Sequence, residues 1–209
     1  MRVLAIDCAT EACSAALFEG TRLLDGRSET LGRGHAERLV PMIAELPDHG
    51  RADRILVSLG PGSFTGVRIG LAAARALGLA WGAEVLGYPT LQLLAARSWQ
   101  PTPRAVTVCM NGGHGEFFIQ NFAADGSAQD DVQSLPPEAA AKAARHGVIV
   151  GNRAQALADM LGDGRLALDL VPDANYAYLL HDSKLTPDLT PIYGRGPDAK
   201  IPQPRQPRA

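Results

Sequence analysis

Short apolar runs divided by turn residues, and a few stretches with helical spacing, set the order of elements along this chain. Residues 3–7, Val3-Leu4-Ala5-Ile6-Asp7, suit a buried strand that ends in an acid. Residues 15–18 and 22–24 read as two more strands, joined by a turn at Glu19-Gly20. Over residues 35–46 the apolar positions Leu39, Ile43 and Leu46 share one face and predict a helix, with Pro41 expected in its first turns, where a missing N–H matters less. Residues 55–59 form an apolar strand, which Pro61 and Gly62 break. Ser63 or Thr65 then caps a helix running to Trp81. A strand at 84–87 follows, and Thr90 can cap a helix running through Leu94 to Arg97.

The segment 100–103, Gln-Pro-Thr-Pro, interrupts the chain near its middle, and the pattern then begins again. A strand is predicted over 104–110, a turn at Gly112-Gly113-His114-Gly115, a second strand over 117–122 and a turn at Asp125-Gly126. A helix within 137–145, a strand at 148–150, and helices near 153–161 and 173–181 complete the series. Two halves with the same strand-turn-strand opening suggest a duplicated α/β architecture: an N-terminal lobe of residues 1–100 and a C-terminal lobe of 101–199. A proline-rich tail over 200–209 is expected to be disordered.

The helix after the glycine-rich turn is the most unusual element. Its only charges, Arg68 and Arg75, lie seven residues apart on one side. Every fourth residue from Gly66 is small: Gly66, Gly70, Ala74, Gly78 and Gly82. Glycine inside a helix costs roughly 1 kcal/mol relative to alanine, so the stripe needs tertiary compensation. A row without side chains lets another backbone come close. That backbone belongs either to the core of this chain or to a partner, and the sequence leaves both open. The turn before the helix also resembles an anion cradle at a helix N-terminus, but it lacks the G-x-x-x-x-G-K-[ST] pattern of a phosphate loop.

Composition narrows the classes. The chain has 209 residues, 46% apolar, with a formal charge of −2, which provides no general attraction to nucleic acid. Cys8, Cys13 and Cys109 form no C-x-x-C pair, and their odd number argues against a disulfide framework. No apolar run approaches the length of a membrane span, and the acidic start does not suit a secretory signal. A reduced, cytoplasmic protein is expected.

Candidate chemistry is sparse. Asp7 and Thr10 could hold a hydrated cation and phosphate at the turn after the first strand, or Asp7 could simply brace that turn. The matching turn of the second half carries Asn111, Gly112 and Gly113, with Glu116 on the next strand edge. His35 has Leu39, not a second histidine, four residues on, so no metal site and no cofactor is expected. Ser63 lacks a nucleophile elbow, and Cys109 suits a core strand.

Four motifs carry a resemblance that spans nearly the whole chain. Leu4 to Thr10 is similar to a family opening ILAIDTST, and His35 to Pro41 to H-S-E-x-L-x-P. Gly60 to Gly70 reproduces G-P-G-S-F-T-G-x-R-x-G, and residues 189–200 resemble P-x-Y-x-R-x-x-x-A-K. The chain thereby resembles the TsaB (YeaZ) family of tRNA threonylcarbamoyladenosine biosynthesis. That resemblance implies an actin-like, Hsp70-like two-lobe fold with ribonuclease H-like lobes. It also implies a noncatalytic subunit beside TsaD, the enzyme that modifies a tRNA adenosine next to the anticodon. The small ATPase TsaE would complete the assembly, tRNA would be met indirectly, and a homodimer is expected when the chain is alone. The implied partner surface comprises His35, Leu39, Met42, Ile43 and Leu46 of one helix with Gly66, Gly70, Ala74, Gly78 and Trp81 of the next. Rival readings of the same fold are an autonomous ATPase or kinase using Asp7 and Thr10, and a protease acting on a partner. Asn111-Gly112-Gly113 departs from the family's D-A-R and removes both charges at that turn.

Overall fold

Strand β1 (Arg2–Asp7) is buried along nearly its whole length because it has strands on both edges and helices on both faces. The computed structural model describes residues 1–99 and 102–194. The tail over 200–209, and the closing motif from Arg195 on, lie outside the described residues. In the first sheet the order is β3 (Arg22–Thr30), β2 (Ala12–Glu19), β1, β4 (Arg54–Ser58), β5 (Glu84–Tyr88). β3 pairs antiparallel with β2 and β2 with β1, and β4 and β5 run parallel to β1. In the second sheet the order is β10 (Leu166–Leu168), β9 (Val148–Val150), β6 (Val106–Gly113), β7 (Glu116–Phe122), β8 (Gln133–Leu135), with β9 and β10 parallel to β6 and the steps β6–β7 and β7–β8 antiparallel. Read from the central strand outward, the two sheets have one topology. This is the duplicated two-lobe, actin-like α/β fold.

Helices α1 (His35–Ala44) and α2 (Phe64–Trp81) cover one face of the first sheet, and α4 (Pro137–Ala143) and α5 (Ala154–Leu161) cover the outer face of the second. Helix α3 (Thr90–Ser98) lies between the sheets and is almost entirely buried. Its Leu93 faces the first lobe, and Leu91, Leu94 and Ala95 face the second. Hydrophobic burial on two sides therefore ties the lobes through one helix. After β10 the chain crosses back. A 3-10 segment (Ala174–Leu179) packs on the first sheet, Thr186 bridges Gly87, and Leu189 and Ile192 rest beside α2.

Most predicted elements are present, with altered ends. β2 and β3 are longer than their apolar runs, because a hairpin continues through polar residues once its register is set. The expected turn at Gly112-Gly113 is instead the end of β6, and the chain reverses at His114-Gly115. Thr90 does not cap α3; its hydroxyl pairs with that of Ser58 at 2.6 Å, joining the helix to β4. Pro41 sits seven residues into the ten of α1, with its ring on the exposed side. Residues 174–179 adopt 3-10 geometry, with Asp173 accepting from the Asn175 amide.

The small stripe of α2 faces inward. A Cβ at Gly66 would run into the carbonyl oxygen of Cys8, and one at Gly78 would run into Val85. At Gly70 it would lie 3.6 Å from Val57, and Ala74 is wholly buried. The close approach therefore serves this chain's own sheet. An Ala74→Arg substitution places an unpaired charge in that contact and should lower the unfolding free energy of the isolated chain by roughly 3–5 kcal/mol. Ala76→Arg, on the exposed side of the same helix, should stay within about 0.5 kcal/mol. Urea unfolding of the two variants measures both, and equal stability would contradict the inward assignment.

Candidate functional site

A cleft of about 320 Å³ opens where the turns of the two lobes meet. Ala9, Thr10 and Glu11 line it from the turn after β1, and Gly62, Ser63 and Phe64 from the start of α2. Asn111, Gly112, Gly113, His114 and Asn152 close it from the second lobe. The Asn152 side chain bridges the lobes: its Oδ1 accepts from the Asn111 amide at 2.9 Å, and its Nδ2 donates to Glu11 at 3.5 Å. Asn152 follows β9 as the glycine-rich turn follows β4. Only the repeated topology exposes that equivalence; no local motif marks it.

The turn after β1 is braced from three directions. His35 Nε2 contacts the carbonyl oxygens of Thr10 at 2.9 Å and Ala12 at 3.3 Å, so this nitrogen carries the hydrogen and donates. The amides of Leu31 and Gly32 donate to the Glu11 carbonyl, and the Ser63 amide donates to that of Ala9 at 2.7 Å. A Cβ at Gly62 would strike the same Ala9 carbonyl, which is why glycine stands there. Two amides of the glycine-rich turn are thus engaged internally: Ser63 with Ala9, and Gly66 with the Ser63 hydroxyl at 3.2 Å. Those two bonds are a packing contact and a helix cap.

Asp7 and Thr10, paired by sequence as a nucleotide site, are separated. Thr10 lines the cleft, with its hydroxyl accepting from the Ala12 amide. Asp7 is 1% exposed and points away, its Oδ1 accepting from the Ala9 amide at 2.9 Å and its Oδ2 from the Tyr88 hydroxyl at 3.0 Å. Its geometry matches the bracing alternative. Burial raises the Asp7 carboxyl to about 6 despite those two donors. Burial and the neighbouring Asp7 likewise hold the Tyr88 hydroxyl in its protonated form.

The predicted partner residues are also placed inward. His35, Leu39, Met42, Ile43 and Leu46 are buried, as are Gly66, Gly70, Ala74 and Gly78, and Trp81 is half-buried against the first core. The correction has one physical reason: the apolar face of an amphipathic helix is claimed first by its own sheet. What α1 and α2 present outward is a second, smaller apolar surface. Along α2 it comprises the exposed Ala72, Ala76 and Leu79, the last 88% exposed, and at one end the half-buried Ile69, which also packs against the first core; the spacing alternates three and four. Along α1 it comprises Ala36, Val40 and Ala44. Arg68 and Arg75 mark one edge of this surface. Arg68 lies over the Phe64 ring and donates to the Tyr193 hydroxyl at 2.9 Å, while Arg75 donates to the Leu189 carbonyl at 3.1 Å. Among the described residues no group of three His, Cys, Asp or Glu is placed to hold a metal, and no helix is long and apolar enough to cross a membrane.

Asp7 gives this site a measurable pH dependence. Its folded-state pKa stands above the unfolded value, so the folded chain binds the proton more tightly. Stability should therefore fall as pH rises from about 4 to about 6, by up to about 3 kcal/mol, and change no further above that window on account of this group. An Asp7→Asn variant should lose that decline, as measured by denaturant unfolding across pH 4 to 7 on the order of these units. An unchanged slope would contradict the assignment.

Comparison with known proteins agrees with this architecture. A sequence-family profile described as "TsaD: tRNA N6-adenosine threonylcarbamoyltransferase" matches residues 29–169. The Escherichia coli K12 tRNA threonylcarbamoyladenosine biosynthesis protein TsaB is 38% identical over 134 residues, covering 60% of this chain and 56% of that protein. The chain thus spans about half the length of the TsaB relatives it matches. An uncharacterized protein of Mycobacterium tuberculosis H37Rv is 33% identical over 213 residues, covering 95% of this chain and 93% of that one. The solved structure of YeaZ from Pseudomonas aeruginosa superposes with a TM-score of 0.73 at 28% identity, over 85% of this chain and 89% of that one. Through its motifs, its duplicated sheets and these matches, the chain belongs to the TsaB (YeaZ) family.

Proposed function

We propose that this chain is a noncatalytic subunit in the biosynthesis of N6-threonylcarbamoyladenosine on tRNA, where it binds and supports TsaD. The name of its Escherichia coli relative supplies the pathway, and the outward surface of α1 and α2 supplies the physical reason for a partner. The observation that carries the reading is the Ile69-Ala72-Ala76-Leu79 row. A seam with three-four spacing, exposed at Ala72, Ala76 and Leu79 and small at its centre, suits close packing against another helix. A homologous α1–α2 pair on TsaD, or on a second copy of this chain, has the right shape to complete a four-helix contact. TsaE and tRNA then meet the assembled complex rather than this subunit alone.

The interlobe cleft supports the same reading. Its wall is glycine backbone, Ala9, Phe64, Ser63, two asparagines, Thr10, His114 and a Glu11 already engaged with Asn152, while Asp7 is sealed behind Tyr88. Phosphoryl transfer relies on positioned cations and donors around the transferring group, and this donor set is poorly matched to that work. On this proposal the purified chain turns over no ATP.

Ala76→Arg tests the surface without disturbing the core. The variant should fold normally yet bind TsaD about thirtyfold or more weakly, a loss on the order of 2 kcal/mol. Calorimetric titration of TsaD with the wild-type and variant chains measures the difference. Equal affinities for both would reject the outward face as the docking surface.

A further inference from the structure

Two of the three cysteines meet at the base of the cleft turn. The β1–β2 register pairs Ile6 with Ala15 and Asp7 with Ser14, so the next rung sets Cys8 opposite Cys13. Their sulfurs are 3.6 Å apart, both buried beneath α1 and α2. Directly opposed antiparallel residues hold their Cα atoms roughly 4.5–5.5 Å apart, within the range of about 4.4–6.8 Å that disulfides span. Closing to a bond length of about 2.05 Å therefore requires side-chain torsion and little backbone movement. Cys109 lies in the other lobe, within the core cluster beneath α4 and α5.

We propose that Cys8 and Cys13 form a peroxide-oxidisable dithiol whose disulfide closes the cleft-lining turn into a ring. Residues 9–12 within that ring carry nearly every contact the turn makes: Ala9 with Ser63 of the α2 cap, Thr10 and Ala12 with His35 of α1, and Glu11 with Leu31, Gly32 and Asn152. A clamp at the base thus acts on the starts of both partner-facing helices and on the interlobe bridge.

The chemistry balances with hydrogen peroxide as the oxidant. The Cys13 sulfur attacks one peroxide oxygen, the O–O bond breaks, and water leaves, giving a sulfenic acid. The Cys8 sulfur then displaces the sulfenic oxygen as a second water, and the S–S bond forms. Two thiols and one peroxide become one disulfide and two waters. The hydrogen bond with Cys8 outweighs burial and the nearby Asp7 and Glu29 carboxyls and favours the Cys13 thiolate as first nucleophile. The same bond, together with burial, keeps the proton on Cys8. Burial pushes the Cys109 thiol up to about 12, and it has no such neighbour. Because both sulfurs of the pair are enclosed, oxidation follows the opening of the turn and is slower than at an exposed thiol.

The experiment treats the folded full-length chain with hydrogen peroxide, unfolds it in an alkylating agent and digests it with trypsin. Both thiols fall in one peptide, residues 3–22, and Cys109 falls in another, residues 105–142. The expected peptide 3–22 has lost two hydrogens and carries no alkyl group, and it gains two alkyl groups after reduction. Cys109 is alkylated throughout. Amide exchange over residues 9–12 should slow in the oxidised chain. Two alkyl groups on peptide 3–22 after peroxide would overturn the proposal, as would stable sulfinic or sulfonic acids there, or a bond to Cys109 or to a second chain. Unchanged amide exchange in a chain that has formed the disulfide would overturn the clamp.

Discussion

The close seating of α2 on the turn that follows β1 is the constraint on which the rest of this structure depends. Gly62 lies against the Ala9 carbonyl and Gly66 against that of Cys8, at separations that leave no room for a side chain. That contact fixes where α2 starts and how far it sinks onto the sheet. It therefore also fixes which residues of α2 are left facing outward. The same turn forms one wall of the interlobe cleft and is held by His35 from α1. Core, cleft and outward surface are thus consequences of one backbone-to-backbone approach, cooperative in the sense that removing any brace releases the others.

The fold was highly legible because its evidence is periodic. Val3–Ile6 and Ile55–Val57 announce buried central strands, and the second half repeats the opening closely enough to suggest duplication before any coordinates. What escaped were the three-residue strands β8 and β10, too short to show a period, and the polar extension of β3, which exists because β2 pairs with it. The return of the last segment to the first lobe was also hidden, since Thr186 bridging Gly87 is a long-range pairing with no local signature.

The candidate site was less legible, for a different reason. A stripe of small residues says that something approaches closely, and it does not say what. Gly66, Gly70, Ala74 and Gly78 meet the chain's own sheet, and the outward row lies around the helix at Ile69, Ala72, Ala76 and Leu79. The two arginines offered a usable clue: Arg68 and Arg75 lie on the exposed side, which places the glycines on the buried one. Asp7 was ambiguous in the same way. An acid at a strand end can face a ligand or brace its own turn, and the deciding partner, Tyr88, lies 81 residues away.

Leu79→Cys provides the most direct measurement of the central claim, that the outward row of α2 is covered by TsaD. Cys8, Cys13 and Cys109 are all buried, so a maleimide added to the folded variant reports on position 79. The account predicts rapid labelling of the free chain and strong protection once TsaD is bound. Equal labelling rates with and without bound TsaD would contradict it.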